Sequence, residues 1–519
     1  MSMRRFFNNI RLFAAIAAMT TLLLATSCLE KEPGSAIGDK EAIKNINDVK
    51  QLRIGIYAML KSGALYSGYL TLLPDLQCDL VYAVEGFSNT HGNIWQWDIR
   101  PTNSEIESVY ASLYSLISNC NYFLDSIDEV IKGETIDENI DLLEQYTGEI
   151  YTIRALAYSE LAKLYCKAYD PATAATEKGV VLRTSYFKKE PIVRATLERT
   201  YQFILDDLAE AEARLDIDDD TYSSVGITLA AAYALHARVA LNMQDWDAAI
   251  DYSSRLIDHP NGAFALSSAS SVYTNGQTYF DYMWTNDVAT EIIWRIGFTE
   301  TSYGGALGSL FLNFTQDYYN YYPDYVPAQW VLDLYDAADG RYNAYFYTFT
   351  TGYNHGLQWP LLVKYYGNES FVNNALIYHV NMPKPFRLAE QYLIRAEAYC
   401  RCDEPNYAKA ANDMNTLRQY RYTNGGNVNI TKDNFIEQIA NERVRELYME
   451  GFRLNDLKRW GTLYNNGNGF KRTPQTSSLD EGSSLEIKAD NPLFVWPIPQ
   501  HEIEAPGSQI EPNDSNLKN

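Results

Sequence analysis

Two tryptophans separated by a single residue are conspicuous candidates for ligand binding in this chain of 519 residues. Trp95 and Trp97 lie in the polar segment 93–98. An aromatic ring presents an apolar face that can stack on the C–H face of a sugar, while amides and carboxylates bond the sugar hydroxyls. Alternate residues of an extended segment project to the same side. The pattern predicts a binding platform of Trp95 and Trp97, with Asn93 and Asp98 as polar contacts.

Tyrosine is the second conspicuous residue, because it occupies 41 of 519 positions. No single aromatic residue is among the commonest in average proteins. Many tyrosines cluster in stretches where the helical period fades, and those we predict as ligand contacts are Tyr303, Tyr318, Tyr319, Tyr321 and Tyr322. Tyr and Trp also anchor loops onto a helical core. Core packing is therefore an open alternative for each of these rings.

The search for catalytic chemistry finds little. The chain has six histidines, but none lies in an HExxH pattern or at a metal-binding spacing. It also has no Gly-x-Ser-x-Gly, Walker or dinucleotide glycine motif. Carboxylates are plentiful, so a glycosidase pair stays open, because its two groups meet only in the fold. The sequence therefore favours a binding protein without a metal or cofactor over an enzyme.

Residues 1–27 have the layout of a secretory signal, with three arginines, no acidic residue and an apolar run at 12–25. That run is too short for a good membrane span. The small residues at 25–27 precede Cys28, which resembles a lipobox whose cysteine is acylated after cleavage. We predict that Cys28 becomes the lipid-anchored mature N-terminus. An ordinary signal peptide with an incidental cysteine is the alternative.

The charge balance narrows the class of partner. Formal net charge is −23, and removal of residues 1–27 leaves 40 basic against 66 acidic groups, or −26. Nucleic acid and anionic lipid both need a basic surface, so they are disfavoured as partners, while uncharged ligands are compatible. The other cysteines show no zinc spacing, which favours buried thiols and leaves one disulfide open; they are Cys78, Cys120, Cys166, Cys400 and Cys402.

Helical periodicity predicts a mainly α protein. Apolar faces with a period of 3.6 residues occur at 47–61, 105–130, 142–168 and 196–215. Segment 228–260 resembles a tetratricopeptide repeat, with Ala237 at a close helix approach and a turn at 245–247. A similar helix–turn–helix pattern of small and aromatic residues recurs at Ala396, Tyr399, Tyr407 and Ala410. Such pairs stack because none buries its apolar face alone.

The period fades at 261–385, where Gly, Asn, Thr and Tyr are frequent and short alternating stretches occur at 291–296 and 345–350. We predict an irregular, loop-rich insertion held on the helical scaffold. Loops on a rigid scaffold commonly carry function. This region is therefore the predicted ligand face.

Segment 442–461, ERVRELYMEGFRLNDLKRWG, combines an apolar stripe with dense charge and predicts two short helices that meet at Gly451. Charges of alternating sign at helical spacing more often form structural ion pairs than catalytic groups. We therefore predict an ion-pair network here.

This segment closely resembles the C-terminal signature of the SusD/RagB family of nutrient-binding lipoproteins. Segments 387–401 (RLAEQYLIRAEAYCR) and 494–499 (FVWPIP) match two further blocks of that family in the expected order. Val109 stands where family members often have tryptophan, which affects local packing only. The tail at 510–513 is a loose version of the family's closing Gln-Asn-Pro pattern.

The resemblance implies a mainly α, SusD-like fold. We expect a signal peptide at 1–27, helical repeats at 28–260, the tyrosine-rich ligand face at 261–385 and the C-terminal family helices at 386–519.

The resemblance also implies a non-enzymatic lipoprotein of the outer membrane that binds oligosaccharide and passes it to a SusC-type TonB-dependent β-barrel. A RagB-like binder of oligopeptides is the alternative within the same import system. A tetratricopeptide scaffold or adhesin and a glycoside hydrolase are alternatives of other classes.

Overall fold

The computed structural model describes residues 42–84, 89–315, 320–352, 356, 358–372, 378–472 and 485–517. The predicted signal peptide, Cys28, Tyr318 and Tyr319 lie outside these residues.

Helices dominate the described chain, as the periodicity predicts. In chain order they are α1 (Ile46–Met59), α2 (Tyr69–Leu76), α3 (Gly92–Trp95), α4 (Ser104–Gly133), α5 (Asp137–Tyr165), α6 (Leu197–Glu212), α7 (Leu229–Met243), α8 (Trp246–Ile257), α9 (Tyr279–Asn286), α10 (Gln329–Leu332), α11 (Arg341–Tyr345), α12 (Leu388–Arg401), α13 (Tyr407–Gln419), α14 (Phe435–Leu447), α15 (Arg453–Trp460) and α16 (Gln500–Glu504). None of the helices in the described ranges is long and apolar enough to cross a membrane. The mainly α prediction is confirmed.

The pair α7–α8 shows how sequence defines the repeats. Gln244 ends α7 in the left-handed region with φ 61°, and the Asp245 side chain accepts a hydrogen bond from the Ala248 amide at 3.1 Å to begin α8. Ala237 is fully buried among small residues of both helices and of α12. The predicted close approach at Ala237 is therefore confirmed. Helix α12 packs against both α8 and α13, which continues the stack of helix pairs.

Strands are short and occur only as antiparallel pairs in the described part of the chain. The pairs are β1 (Val81–Ala83) with β9 (Tyr325–Pro327), β2 (Lys178–Val181) with β3 (Arg194–Thr196), β4 (Val272–Thr274) with β5 (Gln277–Thr278), β6 (Ile292–Trp294) with β12 (Phe386–Arg387), β7 (Phe314–Thr315) with β8 (Asn320–Tyr321), β10 (Phe346–Thr350) with β11 (Gln358–Leu362), and β13 (Phe470–Arg472) with β14 (Leu485–Ile487). Most of them lie in the predicted irregular region.

Helices α14 and α15 meet where the sequence predicts, at a turn that contains Gly451 with φ +85°. A Cβ atom there would lie 2.9 Å from the carbonyl oxygen of Leu70 and 3.0 Å from that of Thr71. Only glycine combines this dihedral with so close an approach to the α2 segment. The turn therefore fixes the C-terminal helices against the N-terminal ones.

The charged ladder on α14 forms a buried ion-pair network. Glu446 accepts hydrogen bonds from Arg387 at 2.9 Å and from Arg421 at 2.9 Å, and Arg341 bridges Glu446 and Glu442 at 3.0 and 2.7 Å. Burial alone would raise the carboxyl pKa values, but the facing guanidinium groups hold the pKa of Glu446 down to about 2. These charges bind one another inside the protein, so the structural interpretation of the ladder is confirmed.

The described cysteines, Cys78, Cys120, Cys166, Cys400 and Cys402, are all free thiols, and four of them are buried. Burial raises the pKa of the Cys400 thiol to about 12, which makes it a poor nucleophile. The default expectation from their spacing is confirmed.

Candidate functional site

The predicted tryptophan platform does not exist as an exposed surface. Trp95 is 2% exposed and Trp97 is 7% exposed, and segment 92–95 is a short helix rather than a strand. The indole N–H of Trp95 donates to the Val81 carbonyl at 3.3 Å, and that of Trp97 donates to the Gln77 carbonyl at 2.5 Å. The prediction is wrong in this geometry because a buried ring with a bonded N–H has no face for a ligand.

The rings around the two indoles explain why they are core. The Arg472 guanidinium lies 4.0 Å from the Trp95 ring centroid, and Phe494 packs edge-on against Trp97 at 5.0 Å. Trp97 has φ 61°, so the chain reverses and does not alternate. Asn93 and Asp98 are exposed, but without exposed indoles they form no platform.

The predicted tyrosines lie in different surroundings. Tyr303 is half-buried near the ring of Phe371, with centroids 6.4 Å apart. Tyr321 is buried and stacks on Phe349 at 4.1 Å, and Tyr322 is half-buried. These described rings pack mainly within the fold and do not together form an open surface.

A different set of tyrosines lines an open cleft of about 920 Å³ in the same irregular region. Its first wall is the β4–β5 hairpin together with α9. The hairpin turns at Asn275 and Gly276, with φ 48° and 81°, as Asn-Gly does in tight hairpins. Thr278 then caps α9 by accepting a hydrogen bond from the Asp281 amide at 3.1 Å. This local chemistry places Tyr282 along the cleft.

Polar groups on this first wall are preorganised. Thr285 Oγ1 accepts hydrogen bonds from the Gln277 amide at 3.2 Å and from the Asn286 amide at 2.8 Å. Tyr273 packs against both Tyr279 and Tyr282, each with centroids 4.8 Å apart. The wall therefore presents oriented amides beside a cluster of three aromatic rings.

The second wall is the segment around Tyr366 and His379. Tyr366 is 45% exposed, and its hydroxyl lies 3.3 Å from the hydroxyl of Tyr321, so Tyr321 supports this wall from behind. Burial lowers the pKa of His379, so its neutral ring donates from Nδ1 to the Tyr366 carbonyl at 2.8 Å. Gly367 has φ +120°, and a Cβ there would lie 2.7 Å from the His379 amide nitrogen. The chain segments around Tyr366 and His379 that form this wall are thus held close together.

Asp287 joins the two walls. It follows α9 in the left-handed region with φ 59° and is fully buried. Its carboxylate accepts hydrogen bonds from Asn368 at 3.0 Å and from Lys384 at 2.6 Å. Because Asn368 lies beside Tyr366 and Asp287 follows α9, this buried contact fixes the width of the cleft.

The cleft combines aromatic faces with neutral hydrogen-bonding groups. Its described lining comprises Thr274, Asn275, Gln277, Tyr282, Thr285, Asn286, Tyr366, Gly367, Glu369, Val372, Tyr378 and His379. Glu369 is the single carboxylate in that described lining, whereas glycoside hydrolysis needs two. Rings for stacking and amides for hydroxyl groups suit reversible binding of a polyhydroxylated ligand.

Sequence reasoning located the region of this cleft but not its residues. Tyr282, Tyr366 and Tyr378 lie outside the tyrosine-rich stretch at 318–322, on which the prediction is based. One signal was available: Asn275-Gly276 is a strong hairpin turn pattern, and Tyr273, Tyr279 and Tyr282 flank it. The second wall had no comparable signal, because a buried contact to Asp287 defines it.

Two family models match the chain. One, described as "SusD family", matches residues 363–513, and another, described as "Starch-binding associating with outer membrane", matches residues 29–241. The first match includes the three predicted signature blocks, and the second covers residues 29–241 of the predicted helical region 28–260.

Curated relatives and solved structures agree with these matches. SusD-like protein P25 of Formosa agariphila is 23% identical over 496 residues, covering 84% of this chain and 86% of the relative. SusD-like protein P38 of the same organism is 24% identical over 504 residues, covering 88% and 92%.

Among solved structures, a SusD superfamily protein of Bacteroides thetaiotaomicron is 22% identical with a TM-score of 0.74, covering 90% of this chain and 99% of that one. A SusD-like carbohydrate binding protein of Bacteroides vulgatus is 18% identical with a TM-score of 0.68, covering 90% and 97%. At this level of identity the structural likeness establishes the fold.

Proposed function

This chain belongs to the SusD/RagB family, and on that basis we propose that it binds a nutrient oligosaccharide at the cell surface and delivers it to a SusC-type TonB-dependent transporter. The ligand lies in the cleft between the β4–β5 hairpin with α9 and the segment around Tyr366. A lipid on Cys28 anchors the protein to the outer membrane. The protein releases its ligand unchanged.

The observation that carries the proposal is the composition of the cleft. The exposed ring of Tyr366 on one wall and the half-buried ring of Tyr282 on the other give stacking faces for sugar rings, and the neutral amides of Asn275, Gln277 and Asn286 match hydroxyl groups. An open cleft of about 920 Å³ accommodates an oligomer better than a single small metabolite. Binding is expected to be modest, with Kd values from about micromolar to millimolar, because an open cleft buries limited ligand surface.

The surrounding family context supports the rest of the proposal. The model described as associating with the outer membrane matches from residue 29, directly after Cys28. The fold is shared with a protein whose description is carbohydrate binding. A protein that delivers its ligand to a transporter does not need to hydrolyse it. The single carboxylate in the described cleft lining agrees with this, because glycoside hydrolysis needs two.

A binding screen tests this function. Purified protein would be titrated calorimetrically with a panel of neutral oligosaccharides and with oligopeptides of matched length. We expect an oligosaccharide to bind, and Tyr366→Ala and Tyr282→Ala each to weaken it, because each removes a stacking face. Tyr420→Ala removes a ring of similar exposure outside the cleft lining and serves as the matched control.

Two results would redirect the proposal. Selective binding of peptides in the same cleft would favour a RagB-like peptide carrier. Steady formation of shorter sugars during incubation, followed by chromatography and abolished by Glu369→Gln, would make the protein a hydrolase. Co-purification of the protein with a β-barrel transporter from native membranes tests the partner.

A further inference from the structure

A second groove lies on the helical region, far along the chain from the residues that line the cleft. Its volume is about 400 Å³, and its lining comes from α4, the loop at 182–193 between β2 and β3, and the C-terminal segment near α16. It shares no lining residue with the cleft.

The loop at 182–193 is held in one conformation by hydrogen bonds to α4 and α5. The Tyr158 hydroxyl accepts from the Arg183 amide at 2.7 Å, and the Asn121 amide donates to the Arg183 carbonyl at 2.9 Å. Asp125 Oδ2 accepts from the Tyr186 amide at 2.8 Å and from the Ser185 hydroxyl at 2.6 Å. A loop held by these hydrogen bonds presents its outward side chains in a defined geometry.

Three cations line this groove. The Arg183 guanidinium donates to the Glu190 carbonyl at 2.7 Å, but among the described residues it forms no ion pair with a carboxylate. Lys188 and Lys189 are exposed and likewise form no ion pair within the described chain. Three cations in the lining of one groove stand out in a chain with 66 acidic and 43 basic residues.

The acidic groups nearby do not pair with the two lysines. The Asp125 carboxylate is occupied by the loop backbone and Ser185, as described above. The Glu190 carboxylate accepts from the Thr184 amide at 2.9 Å. Glu502 lines the groove, and its Oε1 lies 2.9 Å from His501 Nε2. Among the described lining residues, Lys188 and Lys189 therefore stay without a carboxylate partner.

An exposed aromatic ring lies beside these cations. Tyr186 is 43% exposed and is supported by Tyr122 and Phe187, with ring centroids at 4.9 and 5.2 Å. The ring is thus immobilised by neighbouring rings and still presents surface to solvent. A positive charge next to a supported ring can bind both the acidic substituent and the ring of one sugar.

We propose that this groove is a second binding site, specific for anionic saccharides. A carboxylate or sulfate group binds Lys188 and Lys189, and the sugar ring packs on Tyr186. The site is independent of the cleft, whose described lining contains no lysine or arginine.

The test titrates purified protein with oligogalacturonate, a sulfated oligosaccharide and a neutral oligosaccharide of equal length. We expect the two acidic ligands to bind and Lys188→Gln/Lys189→Gln to weaken them roughly tenfold, since exposed charge pairs contribute modestly. Added salt should weaken this binding, because it screens exposed charges over about 8 Å at physiological ionic strength.

Lys432→Gln/Lys471→Gln removes the same two charges from exposed positions outside the groove and is the matched control. Tyr186→Ala should weaken acidic sugars, whereas Tyr366→Ala should leave them unchanged. Equal losses in both lysine double variants would overturn the proposal, since net charge alone would explain them. Failure of acidic sugars to bind would also overturn it, as would binding confined to phosphatidylglycerol vesicles.

Discussion

Trp97 and Tyr366 are both large aromatic side chains in polar stretches of sequence, but their neighbours differ. The Trp97 indole is enclosed by Phe470 and Phe494, and its N–H is bonded to the Gln77 carbonyl. The Tyr366 hydroxyl meets Tyr321 behind the wall, while the ring remains 45% exposed. The type of ring alone does not distinguish a core residue from a ligand contact. The difference depends on whether distant segments of the chain place apolar side chains around the ring.

Truncation of these two rings should give opposite results. We expect Trp97→Ala to lower the free energy of unfolding by about 3–5 kcal/mol, because it opens a cavity in the core. We expect Tyr366→Ala to leave stability nearly unchanged and to weaken oligosaccharide binding by roughly 1–3 kcal/mol. Urea unfolding and calorimetric titration of both variants separate the effects. Loss of affinity in a stable Trp97→Ala protein would restore the tryptophan platform.

Glu446 contributes to the way in which the stability of the protein depends on pH. Its pKa is near 2 in the fold, against about 4.3 in an unfolded chain. Between these values the unfolded state binds more protons, so this stabilisation is complete above about pH 4.3 and is lost as pH falls toward 2. Glu446→Gln should destabilise the protein at neutral pH by about 3–5 kcal/mol, because it removes the buried carboxylate that Arg341, Arg387 and Arg421 share.

Unfolding free energies measured from pH 7 to pH 2.5 would check this expectation. The variant should lose part of the steep fall that the unchanged protein shows below pH 4.3. Glu129→Gln, whose side chain is 81% exposed, is the control and should lie within about 0.5 kcal/mol of the unchanged protein. A variant as stable as the control would contradict a structural role for the network.

Helices and their junctions are the part of this fold that local sequence defines. The period of 3.6 residues and the turn at 245–247 are readable along the chain, and helices occur where they predict them. Helix α9 is an exception, because its cap at Thr278 lies inside the region predicted to be irregular. The cleft is different, because Asp287 and Asn368 lie 81 positions apart and meet only in the fold. Family resemblance supplied the architecture, but a single sequence could not supply that contact.

The α14–α15 junction gives a test of one element. Gly451→Ala forces an alanine into φ +85° and pushes its Cβ against the Leu70 and Thr71 carbonyls. We expect a loss of about 2–4 kcal/mol, since strain of this kind alone costs of order 1–3 kcal/mol. Gly262→Ala has φ +60° but open space around the new Cβ, so it measures strain without the clash. Equal effects in urea unfolding would show that the close approach is unimportant.

Across the whole protein, one hydrophobic core cluster includes residues from α1 at one end to Ile510 at the other. The predicted boundaries at 260 and 385 therefore do not separate independent hydrophobic cores. They stay predictions about which part of the chain has which function. The two proposed binding surfaces lie on different parts of this framework, one among the irregular strands and one on the helical repeats. Because the two linings share no residue, ligands can bind the two surfaces independently.

In the proposed function, a lipid on Cys28, which follows the small residues at 25–27, attaches the protein to the outer membrane. Acyl chains on one cysteine provide the hydrophobic anchor that such a protein needs. We expect Cys28→Ala to abolish lipid incorporation and to move the protein from membrane to soluble fractions. The experiment uses cells that lack the transporter, because binding to a β-barrel would also retain the protein. Metabolic labelling with a fatty acid and fractionation measure both effects, and membrane retention without label would contradict the anchor.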